Sequence, residues 1–498
     1  MLNISFNKVF TLGALLLSAI YAGAQSKEQI FIQKFNQACQ SHEISLLSGD
    51  IANNFSVAGI TGEEAKYRLE YFLKKQKLNS IEITGQKTIS KGTILSLGYK
   101  DGTNSNGTTE LLLNQYGQLV HFSIADQLYG MVRKKNPKLR AVLPFENKNG
   151  SIYLYVKING YKRPLKLLFD TGADGMAVTE ELADAIGLKV TRENSASVVG
   201  GNTKIKVSDN NTIVLDTLKI PDMGIAIFQH VRKGSDGIIG NTLLRRFKTY
   251  IDYDKNQISL YDFGNNYYAG KGSLVPITMP SGALVLPGQL EIVTGKATKG
   301  RFVFDSGASY NLICFRQFVR TNKLLVSGFK SQMQSSTVSM GISSPTFIGN
   351  SSQFTIDNLP PITGLPVTLM GASAQNENWQ PGVDGSIGNR LLSRYNLTIN
   401  LAENEIFFSP NHSFGFPKDF ILRDYQFGWT NDGKLSMISS ASNNESGELI
   451  KAGTLIDSIA GFNADKIRKN PELLEKIKTD YINRSIEIIL SDKKVVVI

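Results

Sequence analysis

Two stretches of this chain end an apolar run on the same four-residue pattern. Leu167-Leu168-Phe169 leads into Asp170-Thr171-Gly172-Ala173, and Phe302-Val303-Phe304 leads into Asp305-Ser306-Gly307-Ala308. Two carboxyl groups held about one hydrogen bond apart share a single proton, because like charges at that distance do not both ionise. The ionised member can take a proton from a bound water while the other donates to a carbonyl oxygen. That is amide hydrolysis without a metal or a covalent nucleophile, and it needs two such carboxylates. In this reading Asp170 and Asp305 are the catalytic pair. Thr171 and Ser306 keep a hydroxyl suited to tying one loop to the other. Gly172 and Gly307 let the backbone approach the carboxylates where a Cβ would clash. Ala173 and Ala308 lack the hydroxyl that would stabilise the charged carboxylates, which points to raised pKa values and a mildly acidic to near-neutral optimum.

The agreement extends beyond the four letters. Asp236-Gly237-Ile238-Ile239-Gly240-Asn241 follows the first motif, and Asp384-Gly385-Ser386-Ile387-Gly388-Asn389 follows the second. Behind each comes an alternating strand pair, Thr249–Tyr261 and Asn396–Ser409, with turns at Asp254-Lys255-Asn256 and Glu403-Asn404. Such correspondence is the mark of an internal duplication. Between alternating segments of the first copy, Ser197-Val198-Val199-Gly200-Gly201-Asn202-Thr203 reads as a hairpin tip. Val199, Gly200 and Gly201 are its flap candidates, since adjacent glycines supply mobility and amides for an extended peptide. Met340-Gly341-Ile342 occupies a comparable place in the second copy.

On these paired motifs, the segment from about Val142 to Pro410 resembles the aspartic peptidases. Asp-Thr/Ser-Gly-Ala is closer to the retropepsin form, whereas the placing of both copies in one polypeptide resembles the pepsin arrangement. The resemblance implies a mostly β fold, two lobes meeting at a cleft with the aspartates on its floor, and no need of a dimer to complete the pair. It implies that each hydrophobic-Gly element packs behind a catalytic loop; Ile238-Ile239-Gly240 fits fully, while Ser386-Ile387-Gly388 departs at its first position. Asp174 matches a retropepsin position that grips substrate backbone, with a surface ion pair as the other reading. No tyrosine of the pepsin flap kind stands at the first tip.

The rest of the chain frames this site. The first 24 residues carry Lys8, an apolar stretch from Val9 to Tyr21 and Ala22-Gly23-Ala24, the pattern of a secretory signal peptide. No stretch is long enough to span a bilayer as a helix. The expected product is therefore exported: periplasmic, extracellular or surface-associated. Cys39 and Cys314 fall in different expected domains, so a disulfide is not expected, and Cys314 is read as lying in a helix-like stretch. His42, His121, His230 and His412 show no ligand spacing, and phosphate-cradling or dinucleotide motifs are lacking. No metal, cofactor or nucleic-acid partner is expected. The net charge of +11 is dispersed except for Arg133-Lys134-Lys135-Asn136-Pro137-Lys138-Leu139-Arg140, which reads as a solvated linker.

Two segments flank the duplicated pair. Helical spacing over Ser26–Leu47 (Ile30, Phe31, Phe35, Ala38) and Glu63–Lys75 precedes strands at Ser80–Thr84, Gly92–Tyr99, Thr108–Leu113 and Gln118–Ile124. That order resembles the cone fold of the nuclear-transport-factor-like superfamily. The run from Gly447 to Phe462, a helix near Pro471–Thr479 and strands at Ser485–Leu490 and Lys493–Val497 resemble bacterial PDZ domains, which implies possible capture of a peptide ligand by strand addition. The expected architecture is mainly β. It comprises a signal peptide (1–24), an N-terminal α+β domain (25–131), a basic linker (132–141), two acid-protease β-barrel lobes (142–265 and 266–410) and a PDZ-like α+β domain (411–498). The expected activity is aspartic endopeptidase on extended polypeptides; the alternative is a non-catalytic peptide- or surface-binding protein of the same fold.

Overall fold

The duplication is written into the strand order of the computed structural model, which describes residues 26–76, 78–102, 106–229, 234–264, 272–339, 341–374, 376–441 and 450–498. The expected leader at 1–24, His230, Met340 and the start of the Gly447–Phe462 run lie outside the described residues. The chain divides into two units: one formed by the residues up to Val57 with Thr61–Tyr129, the other by Ala58–Ile60 with Gly130–Ile498.

In the first unit, Ser26 and Gln29 form a reciprocal capping box that starts the helix Lys27–Ser41. The periodicity suggested one helix to Leu47. Instead His42, at φ 60°, ends it, and Ile44–Leu47 forms a separate 3₁₀ turn. Phe31, Phe35 and Ala38 are buried as their spacing predicts, whereas Ile30 stays exposed. A second helix, Gly62–Lys75, adds Leu69 and Phe72 to the same core. Both helices cover a four-stranded antiparallel sheet (Leu78–Ile89, Gly92–Asp101, Asn106–Leu113, Leu119–Phe122) running in sequence order. Phe122 takes the edges of Phe35 and Phe72 at its centre.

The second unit holds two sheets with the same internal order. In the first lobe, Arg192–Val198 and Gly201–Leu215 form a hairpin beside Leu218–Phe228. Met176–Thr179, Gly237–Ile239, Leu165–Phe169 and Ser151–Ile158 follow across the sheet. In the second lobe the corresponding order is Met333–Ser339, Ile342–Asn350, Pro366–Met370, Leu312–Cys314, Gly385–Gly388, Ala297–Asp305 and Val285–Glu291. Each motif strand thus pairs in parallel with its hydrophobic-Gly strand, Leu168 opposite Ile238 and Val303 opposite Ser386. The apolar run before each aspartate exists because that strand lies in the middle of its sheet. Leu167, Phe169, Phe302 and Phe304 are fully buried. Cys314, expected in a helix, ends a buried strand; the helix begins at Arg316. Both cysteines are free and buried.

A six-stranded antiparallel sheet joins the lobes. Its order is Ser273–Pro276, Glu405–Pro410, Tyr395–Asn400, Lys248–Asp252, Gln257–Tyr261 and Leu139–Pro144. The two expected strand pairs therefore abut, with Thr249 opposite Ile399 and Ile251 opposite Leu397. The outer strand Leu139–Pro144 overturns the linker reading of the basic run. Arg133–Lys134 is also paired, in parallel with Phe263–Gly264. Three charges of the run have acidic partners: Arg133 meets Glu403, and Lys134 and Arg140 meet Asp262.

The C-terminal segment forms a further sheet, in the order Phe420–Leu422, Tyr425–Trp429, Leu435–Ser440, Leu455–Ile459, Glu487–Leu490 and Val495–Val497, with Phe462–Asn463 beside the fourth strand. The helices Ala464–Lys469 and Glu472–Asp480 contribute Ile467 and Ile477 to its core. This sheet is joined to the second lobe by a buried network. Arg390 pairs in bidentate fashion with Asp419 and donates to the Trp429 carbonyl, and Asn311 donates to the same carboxylate at 2.8 Å. Asn431 reaches the Ser393 carbonyl at 2.7 Å, and Ile421 packs on Met333 and Ile348. Among the described residues no helix is long and apolar enough to cross a membrane.

Candidate active site

Asp170 closes the strand Leu165–Phe169, and Asp305 is the last residue of Ala297–Asp305, so each carboxylate stands where its chain leaves the sheet. Each loop then turns back on itself: the Gly172 amide donates to Asp170 Oδ1 at 2.9 Å, and the Gly307 amide to Asp305 Oδ1 at 3.1 Å. The loops face each other closely. A Cβ on Gly172 would lie 2.8 Å from the Asp305 carboxyl carbon, and one on Gly307 would lie 2.3 Å from that of Asp170. The glycines are needed for this approach, as their place in the motif suggested. The two carboxyl groups thus face one another across the lobes, near enough for Asp170 to act on the acidity of Asp305.

The second motif position forms a reciprocal clasp. Thr171 Oγ1 donates to the Phe304 carbonyl at 2.7 Å and accepts from the Ser306 amide at 2.9 Å. Ser306 Oγ donates to the Phe169 carbonyl at 2.8 Å and accepts from the Thr171 amide at 3.1 Å. Both side chains are buried, and each hydroxyl is paired with two backbone groups of the opposite lobe. Asn241 and Asn389, which follow the hydrophobic-Gly elements, extend the clasp. Asn241 Nδ2 reaches the Thr171 carbonyl at 2.9 Å and the Gly282 carbonyl of the second lobe at 2.8 Å. Asn389 Nδ2 reaches Ser151 of the first lobe at 2.8 Å. Their repetition in both copies was the signal for this role, and the motif reading did not use it.

Ala173 and Ala308 offer no hydroxyl, but the cause expected to act on Asp305 needs correction. Ser386 Oγ donates to Asp305 Oδ2 at 3.0 Å, and the Tyr310 hydroxyl approaches the same oxygen at 3.4 Å. The residue that departs from the apolar pattern therefore supplies a hydroxyl by another route. Burial nonetheless raises the Asp305 pKa above the usual carboxylate range; the contacts from Ser386, Asp170, Gly307 and Tyr310 oppose that rise. The direction matches the sequence expectation, and the leading cause is burial.

The aspartates open onto a cleft of about 710 Å³ whose lining includes Asp174, Val199, Phe315, Trp379 and Val383. The hairpin expected at Ser197–Thr203 is present: Val198 pairs with Gly201, leaving Val199 and Gly200 as a two-residue turn, with Gly200 at φ +95°. Its tip reaches the opposite lobe. Val199 packs in a cluster with Ile313, Phe315, Met370 and Trp379, and Trp379 Nε1 donates to Ser197 Oγ at 3.4 Å. Trp379 carried no motif, so sequence patterning had no means to select it. Asp174 lines the cleft with its carboxylate engaged by Arg245, whose other nitrogen donates to the Asp174 carbonyl at 2.6 Å. The ion pair weighed for this residue is thus formed, at a side chain still 63% exposed.

Comparison with known proteins bears on the first lobe most directly. Residues 154–243 match the family model described as aspartyl protease. No curated protein matches the chain's sequence. Among solved structures, an aspartic proteinase from Irpex lacteus aligns at 15% identity with a TM-score of 0.36, covering 55% of this chain and 97% of that one.

Proposed function

Starting from an aspartyl protease domain over residues 154–243, we propose that this chain is an exported aspartic endopeptidase whose catalytic carboxylates are Asp170 and Asp305. The observation that carries the proposal is the close approach of each carboxyl group to the other lobe's glycine, between loops locked in mutual register. A proton shared by this pair leaves one carboxylate able to draw a proton from water as the water oxygen bonds to a peptide carbonyl carbon. The protonated partner gives its proton to the carbonyl oxygen, forming a neutral tetrahedral diol. Collapse of the diol breaks the C–N bond, with a proton passing to the leaving amine and another returning to the pair. Thr171, Ser306, Gly172 and Gly307 support the loops, and Val199, Gly200 and Gly201 form a lid over an extended substrate. Asp174, held by Arg245, is placed to meet substrate backbone, and Phe315, Trp379 and Val383 favour apolar side chains near the scissile bond. Export rests on the apolar leader ahead of Gln25. The C-terminal domain is assigned a bracing role on the strength of the Arg390–Asp419–Asn311 network. Peptide capture would have to use an open sheet edge such as Val495–Val497.

The test is hydrolysis of an unfolded protein by the chain from Gln25 onward, across about pH 3 to 8, a range that brackets carboxylate titration, beside Asp170→Asn and Asp305→Asn. Turnover abolished by either substitution is the expected result. With Asp305 held up by burial, the optimum is expected to be mildly acidic to neutral; a profile peaking near about pH 2 would contradict that. A wild-type protein that binds the substrate without cleaving it at any pH would favour the non-catalytic reading.

A further inference from the structure

The two halves of the site are not equivalent around their aspartates. On the first lobe the residue beside the motif strand is Ile238, opposite Leu168; on the second it is Ser386, opposite Val303. Ser386 is fully buried, so its hydroxyl has been withdrawn from water and is directed at Asp305 Oδ2. Tyr310, five residues beyond Asp305, approaches the same oxygen. Burial holds the Tyr310 phenol well above its usual pKa, so it stays protonated and remains a donor wherever carboxylates titrate. The titratable groups facing Asp305 are Asp170 from the opposite lobe and Tyr310 from its own loop. The neutral donors facing it are Ser386 and the Gly307 amide.

We propose that Ser386 and Tyr310 are positioning residues that hold the Asp305 carboxyl by its Oδ2 and set its acidity, a one-sided replacement for the hydroxyl that Ala308 lacks. The proposal rests on the reading of Asp170 and Asp305 as the catalytic pair. Donors to the ionised form favour it, so this hydroxyl pair opposes the penalty of burial. Without it, Asp305 would hold its proton to higher pH, and the pair would lose the fixed orientation of one carboxyl plane.

The test follows the Asp305 carboxyl directly, by ¹³C titration of aspartate-labelled full-length protein, with its resonance identified by loss in Asp305→Asn. Ser386→Ala is expected to raise the Asp305 midpoint by about one pH unit, the low end for a lost hydrogen bond to a charged group. Tyr310→Phe, which keeps the ring, is expected to raise it by less, because its contact is longer. Ser386→Thr is expected to restore the wild-type midpoint. The alkaline limb of kcat/KM, where the proton-bearing member of the pair ionises, should move with the titration. An unchanged or lowered midpoint in both Ser386→Ala and Tyr310→Phe would overturn the proposal, and so would a Ser386→Thr midpoint raised as far as that of Ser386→Ala. If Ser386→Ala does not fold, the Tyr310→Phe midpoint decides alone. A raised midpoint in a protein that hydrolyses nothing would uphold the positioning role and defeat the peptidase reading.

Discussion

Replacing Thr171 with valine keeps the shape of the side chain and deletes the oxygen that makes two of the four hydrogen bonds joining the loops. The Phe304 carbonyl and the Ser306 amide, bonded at 2.7 and 2.9 Å in the native protein, would be left buried without that partner. Each lost bond is worth about 1 kcal/mol, and each orphaned buried group costs roughly 1–3 kcal/mol. Allowing for partial relaxation, Thr171→Val should destabilise the second unit by about 2–4 kcal/mol. Ser306→Ala orphans a different pair, the Phe169 carbonyl and the Thr171 amide, and should cost a similar amount. The double substitution should cost less than the sum, because once one half of the clasp is cut the loops can part and admit water to the other half. Urea denaturation, read as a change in midpoint at constant slope, measures all three. Thr171→Ser retains the oxygen and serves as the control. A Thr171→Val protein within about 0.5 kcal/mol of wild type, the range of ordinary surface changes, would refute the reasoning. So would a Thr171→Ser protein as unstable as Thr171→Val, since the hydroxyl would not then be the source of the effect.

Three further outcomes are expected. Trp379→Ala removes the aromatic contact with Phe315, centroids 4.9 Å apart, and the donor to Ser197, so amide exchange at 197–201 should quicken; unchanged exchange there would show that Trp379 does not hold the hairpin. Arg390→Met alone should cost about 3–5 kcal/mol in urea denaturation by stranding the buried Asp419 carboxylate, whereas Arg390→Met with Asp419→Leu should cost distinctly less; equal losses would contradict a stranded charge as the cause. The bond to Asp254 raises the His412 pKa, so that contribution is complete below the ordinary histidine value and fades as pH rises through the raised one. Burial works to raise Asp254, but His412 and Asn396 outweigh it, so its contribution is present above the ordinary aspartate value and fades as pH falls through the lowered one. The stability gap between wild type and His412→Ala should therefore be widest between about pH 4 and 6.5, and a gap that is flat with pH would exclude this linkage.

What was legible in the sequence was what repeats or alternates locally. The two Asp-Thr/Ser-Gly-Ala motifs, the hydrophobic-Gly strands and the paired hairpins each declare themselves within a few residues, and their repetition predicted the shared strand order. Contacts made by distant residues were not legible. The basic run from Arg133 read as a linker because its strand partners, 257–261 and 263–264, and its acidic partners, Asp262 and Glu403, lie more than a hundred residues further on. Ser386 looked like a lapse in an apolar pattern, since the oxygen it serves belongs to the neighbouring strand. Trp379 sits in a segment without regular structure, and its partner Ser197 comes from the other lobe. The helix expected to continue to Leu47 was stopped at His42 by a left-handed backbone that apolar periodicity does not encode.

The sheet that joins the lobes makes the spacing of the two aspartates discrete. Thr249, Tyr250 and Ile251 meet Ile399, Thr398 and Leu397 residue for residue. The smallest slip such a ladder permits is one residue, roughly 3.3 Å along the strand, and it would turn every side chain to the opposite face. That step exceeds the length of an O–H···O hydrogen bond, about 2.5–3.0 Å, so no intermediate register offers a slightly stretched pair. Damage to this seam should divide a sample into molecules with an intact site and molecules with none. In single-molecule turnover it would appear as a shrinking active fraction, with the rate of each active molecule unchanged.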